Sequence, residues 1–398
     1  MQNEKRLVPE LRFPEFKEDW ERSHLNNVTS YVDYRGRAPQ KSEQGHFLVT
    51  AKNIKKGFID YNCSKEYVDK IDYSTVMSKG RPRIGDVLFT TEAPMGNVAQ
   101  VNLENIALAQ RVIKFRGNDN LTNSYLLYYM LSSVFQKAIN KKAIGTTVQG
   151  ISGKELHKTK ISYPGLKEQQ KIATFLTAID NRLQSLEKKK SLLEEYKKGL
   201  TQQLFKQELR FRPALSGAEV DDEGKDFPDW EKKKLGTLLD YEQPTKYIVN
   251  STEYNDKYKT PVLTAGKSFI LGYTNETENI YQSFPVIIFD DFTMATQFVA
   301  FPFKVKSSAM KILKNNPEIS DIRFLYNVMQ MINYPKGDEH KRFWISAYSK
   351  IKISFPCLKE QTKIANFLSA IDKKIELVDK QIEKTKTYKK GLLQQMFV

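Results

Sequence analysis

The sequence predicts an α+β protein of two equivalent halves. Two domains of mixed strands and helices alternate with two long helices that form an antiparallel intramolecular coiled coil. Three observations predict this. Residues 160–205 return, without a gap, as residues 352–397 with 25 of 46 positions identical. Each copy carries a sustained heptad seam. A short element ahead of each domain also repeats, in a circular register, as if a pseudo-two-fold ring had been cut once. A chain of 398 residues is too long for one core, so several domains are expected. The segments are 1–21, which completes the circular repeat; 22–159, the first domain; 160–205, the first helix; 206–231, a linker and lead-in; 232–351, the second domain; and 352–398, the second helix.

The opening segment contains Glu10-Leu11-Arg12-Phe13 and then Asp19-Trp20-Glu21. The same two motifs stand at Glu208-Leu209-Arg210-Phe211 and Asp229-Trp230-Glu231. In the second half they follow a helix directly, whereas in the first they open the chain. The N-terminal segment is therefore expected to dock where the second helix ends. Met1 to Arg12 is polar and lacks the apolar core of a signal peptide.

The first domain has an apolar run, Phe47-Leu48-Val49, followed by Thr50-Ala51. β-rich runs follow at Asp86–Thr91, Val98–Val101 and Arg111–Phe115, and then a helix-like stretch at Ser124–Ile139. The second domain repeats this order. Pro261-Val262-Leu263 precedes Thr264-Ala265, strands are expected at Val286–Phe289, Phe298–Phe301 and Ala309–Leu313, and a helix at Ile319–Ile332. One order of elements with little residue identity indicates one fold with two different surfaces.

The helices begin after Pro164-Gly165 and Pro356-Cys357, with Glu168 and Glu360 in the first turn, where the helix dipole favours a carboxylate. From Ile172 the seam runs through Leu176, Ile179, Leu183, Leu186, Lys190, Leu193, Lys197, Leu200 and Leu204. From Ile364 it runs through Leu368, Ile371, Ile375, Val378, Ile382, Thr385, Lys389, Leu392 and Met396. Eight of ten positions are apolar in each series, and a 3.5-residue period kept this long is a coiled-coil pattern. Forty residues from Leu166 to Phe205 span about 60 Å. The seam lysines mark a weak stretch. Gly199 and Gly391, which recur at one place in the two helices, suggest close backbone approach or a hinge, because a helical Gly costs about 1 kcal/mol. If the intervening domain brings its ends together, the helices pair antiparallel within one chain. A parallel coil between two chains is the other reading. Pro213–Phe227 reads as a surface linker.

Lys and Arg number 63 against 47 Asp and Glu, a net charge of +16, which points to a polyanionic partner. Two cysteines in different halves and four scattered histidines provide neither a disulfide framework nor a metal cluster, and a reducing cytoplasm is the default. No apolar run is long enough to span a membrane. A DNA reader needs cations for phosphates and amides or guanidiniums for base edges. The Gly-rich run before the first helix offers Thr146, Thr147, Gln149, Lys154, His157 and Lys158. Its counterpart before the second offers Lys336, His340, Lys341 and Arg342. Lys52, Asn53 and Lys55, with Lys56, and the pair Thr296-Gln297 are further candidates. Any one of these also fits an ordinary solvated surface group. Gly145 to Gly150 has the spacing of a phosphate-binding loop, but Ile151-Ser152 stands where Lys-Ser/Thr is required. Glu231-Lys232-Lys233 resembles a nuclease triplet without an acidic partner.

This layout resembles the specificity subunit of type I restriction-modification enzymes along the whole chain. The resemblance rests on the alternating domains and helices, on the Pro-x-Leu-x-Glu-Gln openings (Pro164–Gln169, Pro356–Gln361), and on the Leu-Arg-Phe and Asp-Trp-Glu lead-ins. It implies a non-catalytic subunit whose two target recognition domains each read half of a bipartite, asymmetric site in double-stranded DNA. It also implies that the helices space the readers and dock two methyltransferase subunits, with restriction (motor and nuclease) subunits joining them. S-adenosylmethionine, ATP and Mg2+ would then belong to the partner subunits, with no cofactor or metal in this chain. A coiled-coil DNA-binding regulator acting without an enzyme partner is the alternative.

Overall fold

The computed structural model describes residues 7–34, 39–211, 227–264, 268–334 and 342–398. The chain forms two compact units. The first is Met1–Lys188 with Asp379–Val398, and the second is Lys189–Val378. Each unit thus contains one α+β domain, the start of one long helix and the end of the other.

In the first unit the lead-in strand Glu21–His24 pairs antiparallel with Lys160–Tyr163, placing Glu21 opposite Tyr163. A four-stranded antiparallel sheet follows the order Thr29–Asp33, Val112–Gly117, Val87–Thr90, Val98–Gln100. In a three-stranded sheet His46–Val49 is central, between Tyr67–Val68 and a parallel neighbour, Ala107–Leu108. The strand Val87–Thr90 is buried on both faces. Its alternate side chains serve two cores, as the two-residue period of a strand requires. Val87 and Phe89 join Trp20, Tyr125, Tyr129, Phe135, Ile172 and Leu176. Leu88 joins Val49, Ile54, Ala99 and Leu108 on the other side. The expected single helix is two, Asn123–Leu131 and Ser133–Asn140, because Ser132 is extended (φ −65°, ψ 154°) and its side chain caps the second by accepting from the Phe135 N–H.

The second unit repeats the plan. Glu231–Lys234 pairs with Lys352–Phe355, with Glu231 opposite Phe355. The larger sheet runs Leu239–Glu242, Met310–Asn315, Val286–Asp290, Thr296–Val299, and the smaller has Thr260–Leu263 at its centre. Ile287 and Phe289 enter one core with Trp344, Ile364 and Leu368, while Val286 and Ile288 enter the other. The strand expected at Phe298–Phe301 begins two residues earlier, and the helix expected at Ile319–Ile332 runs Ile322–Met331. Nearly all of the expected linker Pro213–Phe227 (residues 213–226) and Ala265 lie outside the described residues.

The long helices, Leu166–Phe205 and Leu358–Gln395, are unbroken. Pairing is antiparallel within each unit. In the first, Asp180 meets Lys389 at 2.5 Å and Glu187 meets Lys386 at 3.6 Å, so residue numbers rise in one helix as they fall in the other. In the second, Lys197 meets Asp372 at 2.6 Å while Leu204 packs in one core with Ile364 and Leu368. Every seam position of both helices is buried or half-buried. Ile172, Leu176, Ile179, Ile364, Leu368, Ile371 and Val378 are buried, and Leu183, Leu186 and Ile375 are half-buried. The structure adds to two expectations. Lys197 and Lys389, seam lysines of the expected weak stretch, are the cross-helix partners of Asp372 and Asp180. A Cβ at Gly199 or Gly391 would meet no heavy atom within 4 Å, so neither glycine permits a close approach, and neither interrupts its helix.

The repeated motifs are internal ties. Glu168 and Glu360 are buried in the first helical turns. Arg12 donates from Nε and Nη2 to Glu168 at 2.8 and 2.7 Å, and Nη2 also reaches the Glu18 carbonyl. Arg210 holds Glu360 in the same two-pronged way at 3.2 and 2.9 Å and reaches the Pro228 carbonyl. Gln169 and Gln361 are fully buried. Gln169 donates to the Pro164 and Asn120 carbonyls and accepts from the Thr122 N–H. Gln361 donates to Pro356 and Ile319 and accepts from the Asp321 N–H. The circular register is explicit in the backbone. The Leu209 N–H donates to the Gln203 carbonyl by direct continuation of the chain, and the Leu11 N–H donates to the equivalent Gln395 carbonyl across the chain ends.

Candidate nucleic-acid interface

In the first unit, candidates far apart in the sequence converge on one hairpin. The strands Val87–Thr90 and Val98–Gln100 are joined by a turn containing Ala93 (φ +46°) and Gly96 (φ +83°). On one side the stretch carrying Lys52 and Lys55 is fastened to it. Asn97 Nδ2 donates to the Ile54 carbonyl at 2.7 Å, and the Gly57 N–H donates to the Val98 carbonyl at 2.7 Å. On the other side the Ile151 N–H donates to the Thr91 carbonyl at 2.9 Å, and Gly150 bridges to Glu92.

The Gly-rich run is itself a small closed loop. Ile144 and Gly150 exchange backbone hydrogen bonds of 2.8 and 2.9 Å. Gly145 has φ +109°, and a Cβ there would lie 2.3 Å from the Val148 carbonyl oxygen, so only glycine fits. Thr146, Thr147 and Gln149 are exposed on this loop, as are Lys154 and Lys158 beyond it. The Ser152 hydroxyl caps the short helix Gly153–His157 by accepting from the Glu155 N–H.

Two candidates do not belong to this surface. Asn53 is fully buried. Its Oδ1 accepts from the Thr50 N–H and hydroxyl, and its Nδ2 donates to the Asp60 and Ser64 carbonyls, so it pins the loop that displays Lys52 and Lys55. His157 is buried, its ring stacked on Tyr31 at 3.5 Å and edge-on to Phe115. Both corrections have one cause. An amide or an imidazole serves a loop's own backbone or a core as readily as a ligand, and burial decides between them.

The hairpin turn and Arg111 were not among the sequence candidates. Arg111 has φ +75°, is half exposed, and its Nε lies 2.7 Å from Glu92 Oε1. A left-handed backbone at a non-glycine residue has no sequence signature.

The second unit repeats the arrangement with different side chains. The turn Asp291–Ala295 joins the corresponding strands. The Phe343 N–H donates to the Asp291 carbonyl at 3.2 Å, as Ile151 does to Thr91. The Asp291 carboxylate accepts from the Trp344 N–H and lies 3.4 Å from the buried Lys311 ammonium. Arg342 is exposed beside this turn, Gln297 is exposed on the edge strand, and half-buried Thr296 accepts from Gln330. Phe292 is 52% exposed at the tip. Lys336, His340 and Lys341 lie outside the described residues.

Ion pairs brace both units, buried in the first and half-exposed in the second. In the first unit, burial raises the cost of ionising Asp86, but hydrogen bonds from Arg116 and the Arg83 N–H outweigh it, and the carboxyl stays below its ordinary range. Burial likewise lowers the pKa of Lys114, 3.5 Å from Asp86. In the second, burial opposes ionisation of Glu242, yet hydrogen bonds from Lys314, Tyr247 and Lys246 hold its pKa down to about 2. Among the described residues no group of His, Cys, Asp and Glu side chains is arranged to hold a metal ion, and no helix is long and apolar enough to cross a membrane.

A family model for the type I restriction modification DNA specificity domain matches residues 17–195 and 228–387. Over 151 residues, 37% of this chain, the sequence is 48% identical to the EcoR124I/EcoR124II specificity subunit of Escherichia coli, a match spanning 36% of that protein. Over 411 residues it is 22% identical to the type I restriction enzyme MjaVIII specificity subunit of Methanocaldococcus jannaschii, covering 96% of this chain and 92% of that one. The fold is similar to the crystal structure of the type I S subunit from M. genitalium, with a TM-score of 0.63 at 15% identity over 98% of this chain and 99% of that one. It also resembles a chain solved in work on complex assembly and conformational transition of the type I R-M system, with a TM-score of 0.51 at 17% identity over 94% and 96% of the two chains. At these identities the structural likenesses speak for the fold.

Proposed function

Because the chain belongs to the type I restriction modification DNA specificity family, whose members are non-catalytic recognition subunits, we propose that each of its two domains reads one half of a bipartite DNA site. The observation that carries this reading is the pair of equivalent hairpins. Both are held by the same backbone contacts, from Ile151 to Thr91 and from Phe343 to Asp291, yet their exposed side chains differ. One reader presents Thr146, Thr147 and Gln149, and the other presents Arg342, Gln297 and Phe292. Two readers of one architecture with unlike tips recognise an asymmetric site.

The exposed lysines, Lys52, Lys154 and Lys158 among them, contribute phosphate contacts, and threonine, glutamine and arginine side chains contribute base contacts. The length of helix joining the readers sets the gap between half-sites. The solvent face of the helical pair docks two methyltransferase subunits, with restriction subunits completing the assembly. S-adenosylmethionine, ATP and Mg2+ act on those subunits, and the complex works in the cytoplasm. A regulator without an enzyme partner finds no support among the relatives. The test is methylome mapping in cells with and without this chain, and again after exchanging residues 22–159 for another domain of the family. One bipartite motif should depend on the chain, and only one of its halves should change on exchange. Alteration of both halves would overturn the division of labour.

A further inference from the structure

Two apolar side chains stand exposed on the closed loop of the first reader, where a solvated loop would carry polar ones. Ile144 is 73% exposed and Val148 57% exposed. They stand on a loop closed at its base by the paired Ile144–Gly150 backbone bonds and tightened by Gly145 at φ +109°. The loop is therefore held closed and presents the two side chains to solvent. Thr146, Thr147 and Gln149 lie between and beside them and are exposed too. The surroundings suit a polyanion. No carboxylate occurs in sequence between Asp119 and Glu155, whereas Lys137, Lys141, Lys142 and Lys154 do. Glu92, whose backbone bridges to Gly150, has its carboxylate paired with Arg111 at 2.7 Å.

We propose that this loop reads A·T pairs in the major groove, with Val148 and Ile144 covering thymine methyl groups and Gln149 addressing the adenine edge. The inference rests on the first domain being a DNA reader and names the base pair it takes. In the major groove thymine is the base that presents a methyl group, and adenine pairs its N6 donor and N7 acceptor with a glutamine amide. Adjacent aliphatic and amide side chains on one rigid loop match both halves of that pair. A tip meant only for phosphates would need neither.

The full chain, in the complex with which it purifies, is titrated against a duplex holding its mapped site, with each thymine replaced singly by deoxyuridine, which keeps pairing and removes the methyl. At one or two thymines of a single half-site, methyl loss weakens wild-type binding about fourfold, the loss expected for one buried methyl. The same substitution leaves the Val148→Ser or Ile144→Ser variant unchanged relative to its own thymine duplex. Both substitutions are at exposed positions, and thermal unfolding checks that each variant is folded. The inference is overturned if no thymine is sensitive in the wild type, if sensitivity persists in both serine variants, or if the half-site lost on exchanging residues 22–159 contains no A·T pair. Equal binding of wild type to the mapped and a scrambled duplex instead overturns the recognition reading beneath it.

Discussion

Replacing Arg12 by Met should destabilise the first unit more than replacing Arg210 by Met destabilises the second. The two arginines hold equivalent buried glutamates, and the Glu168 and Glu360 side chains are 3% and 1% exposed. Removing one partner of a buried ion pair costs about 3–5 kcal/mol, because the remaining charge is left without compensation. The glutamates differ in what else they hold. Trp230 Nε1 donates to Glu360 at 3.0 Å, whereas the Trp20 indole N–H has no partner among the described residues. A hydrogen bond to a charged group is worth about 1.5–3 kcal/mol. Arg12→Met should therefore cost about 3–5 kcal/mol, and Arg210→Met, with the Trp230 bond offsetting part of the uncompensated charge, about 1.5–2 kcal/mol. A chain of two units does not unfold in one step, so the assay is hydrogen exchange read peptide by peptide. Protection should fall in the first long helix near Glu168 and at Leu11, whose N–H bond to Gln395 Arg12 helps to hold. In the double variant Arg12→Met/Glu168→Leu much of the loss should be recovered, since no charge remains buried. An Arg210→Met effect equal to or larger than that of Arg12→Met, or no recovery in the double variant, would refute the reasoning.

Gly199→Ala and Gly391→Ala should each stabilise the isolated chain by about 1 kcal/mol, because a Cβ at either position meets open space; a lowered thermal midpoint would show a contact that the helix geometry does not contain. Glu242 has a folded-state pKa of about 2 against an ordinary carboxylate value near 4.3, so its contribution is present above the unfolded value and is lost as pH falls toward 2. Lys314→Met should therefore lower the urea midpoint of the second unit at pH 6, and the difference from wild type should shrink as pH falls to 2 and vanish below it; an undiminished difference there would place the effect in packing. Inserting four residues in one long helix adds about 6 Å and should lengthen the non-specific gap by one or two base pairs, with an unchanged gap in methylome sequencing counting against the helices as spacer.

Much of this architecture was legible because it is periodic. The heptad seam names its own buried face, and every seam position from Ile172 to Leu204 and from Ile364 to Met396 is buried or half-buried. The strands around Val87 and Val286 were legible as short apolar runs bounded by turns. Single residues were not. Lys197 and Lys389 read as flaws in the seam until Asp372 and Asp180 stood opposite them. Asn53 and His157 read as ligand-facing groups although one caps a loop and the other is packed between rings. The closed base of the loop at Ile144 and the left-handed turn at Arg111 depend on backbone angles that composition does not encode.

The sequence by itself determined the duplicated plan, the helical face and the circular register, since each is a pattern in one dimension: a spacing, a period, an offset. Only the tertiary structure decided what the repeated motifs are for and which loops meet. Arg12 and Glu168 are far apart in the chain and become a pair when the N-terminal segment docks at the helix start. Lys52 and Gln149 reach one surface because a hairpin from the middle of the domain binds the loops of both. Long-range contacts of this kind follow from how strands order in a sheet, and that order is set by the packing of two cores rather than by any local run of residues.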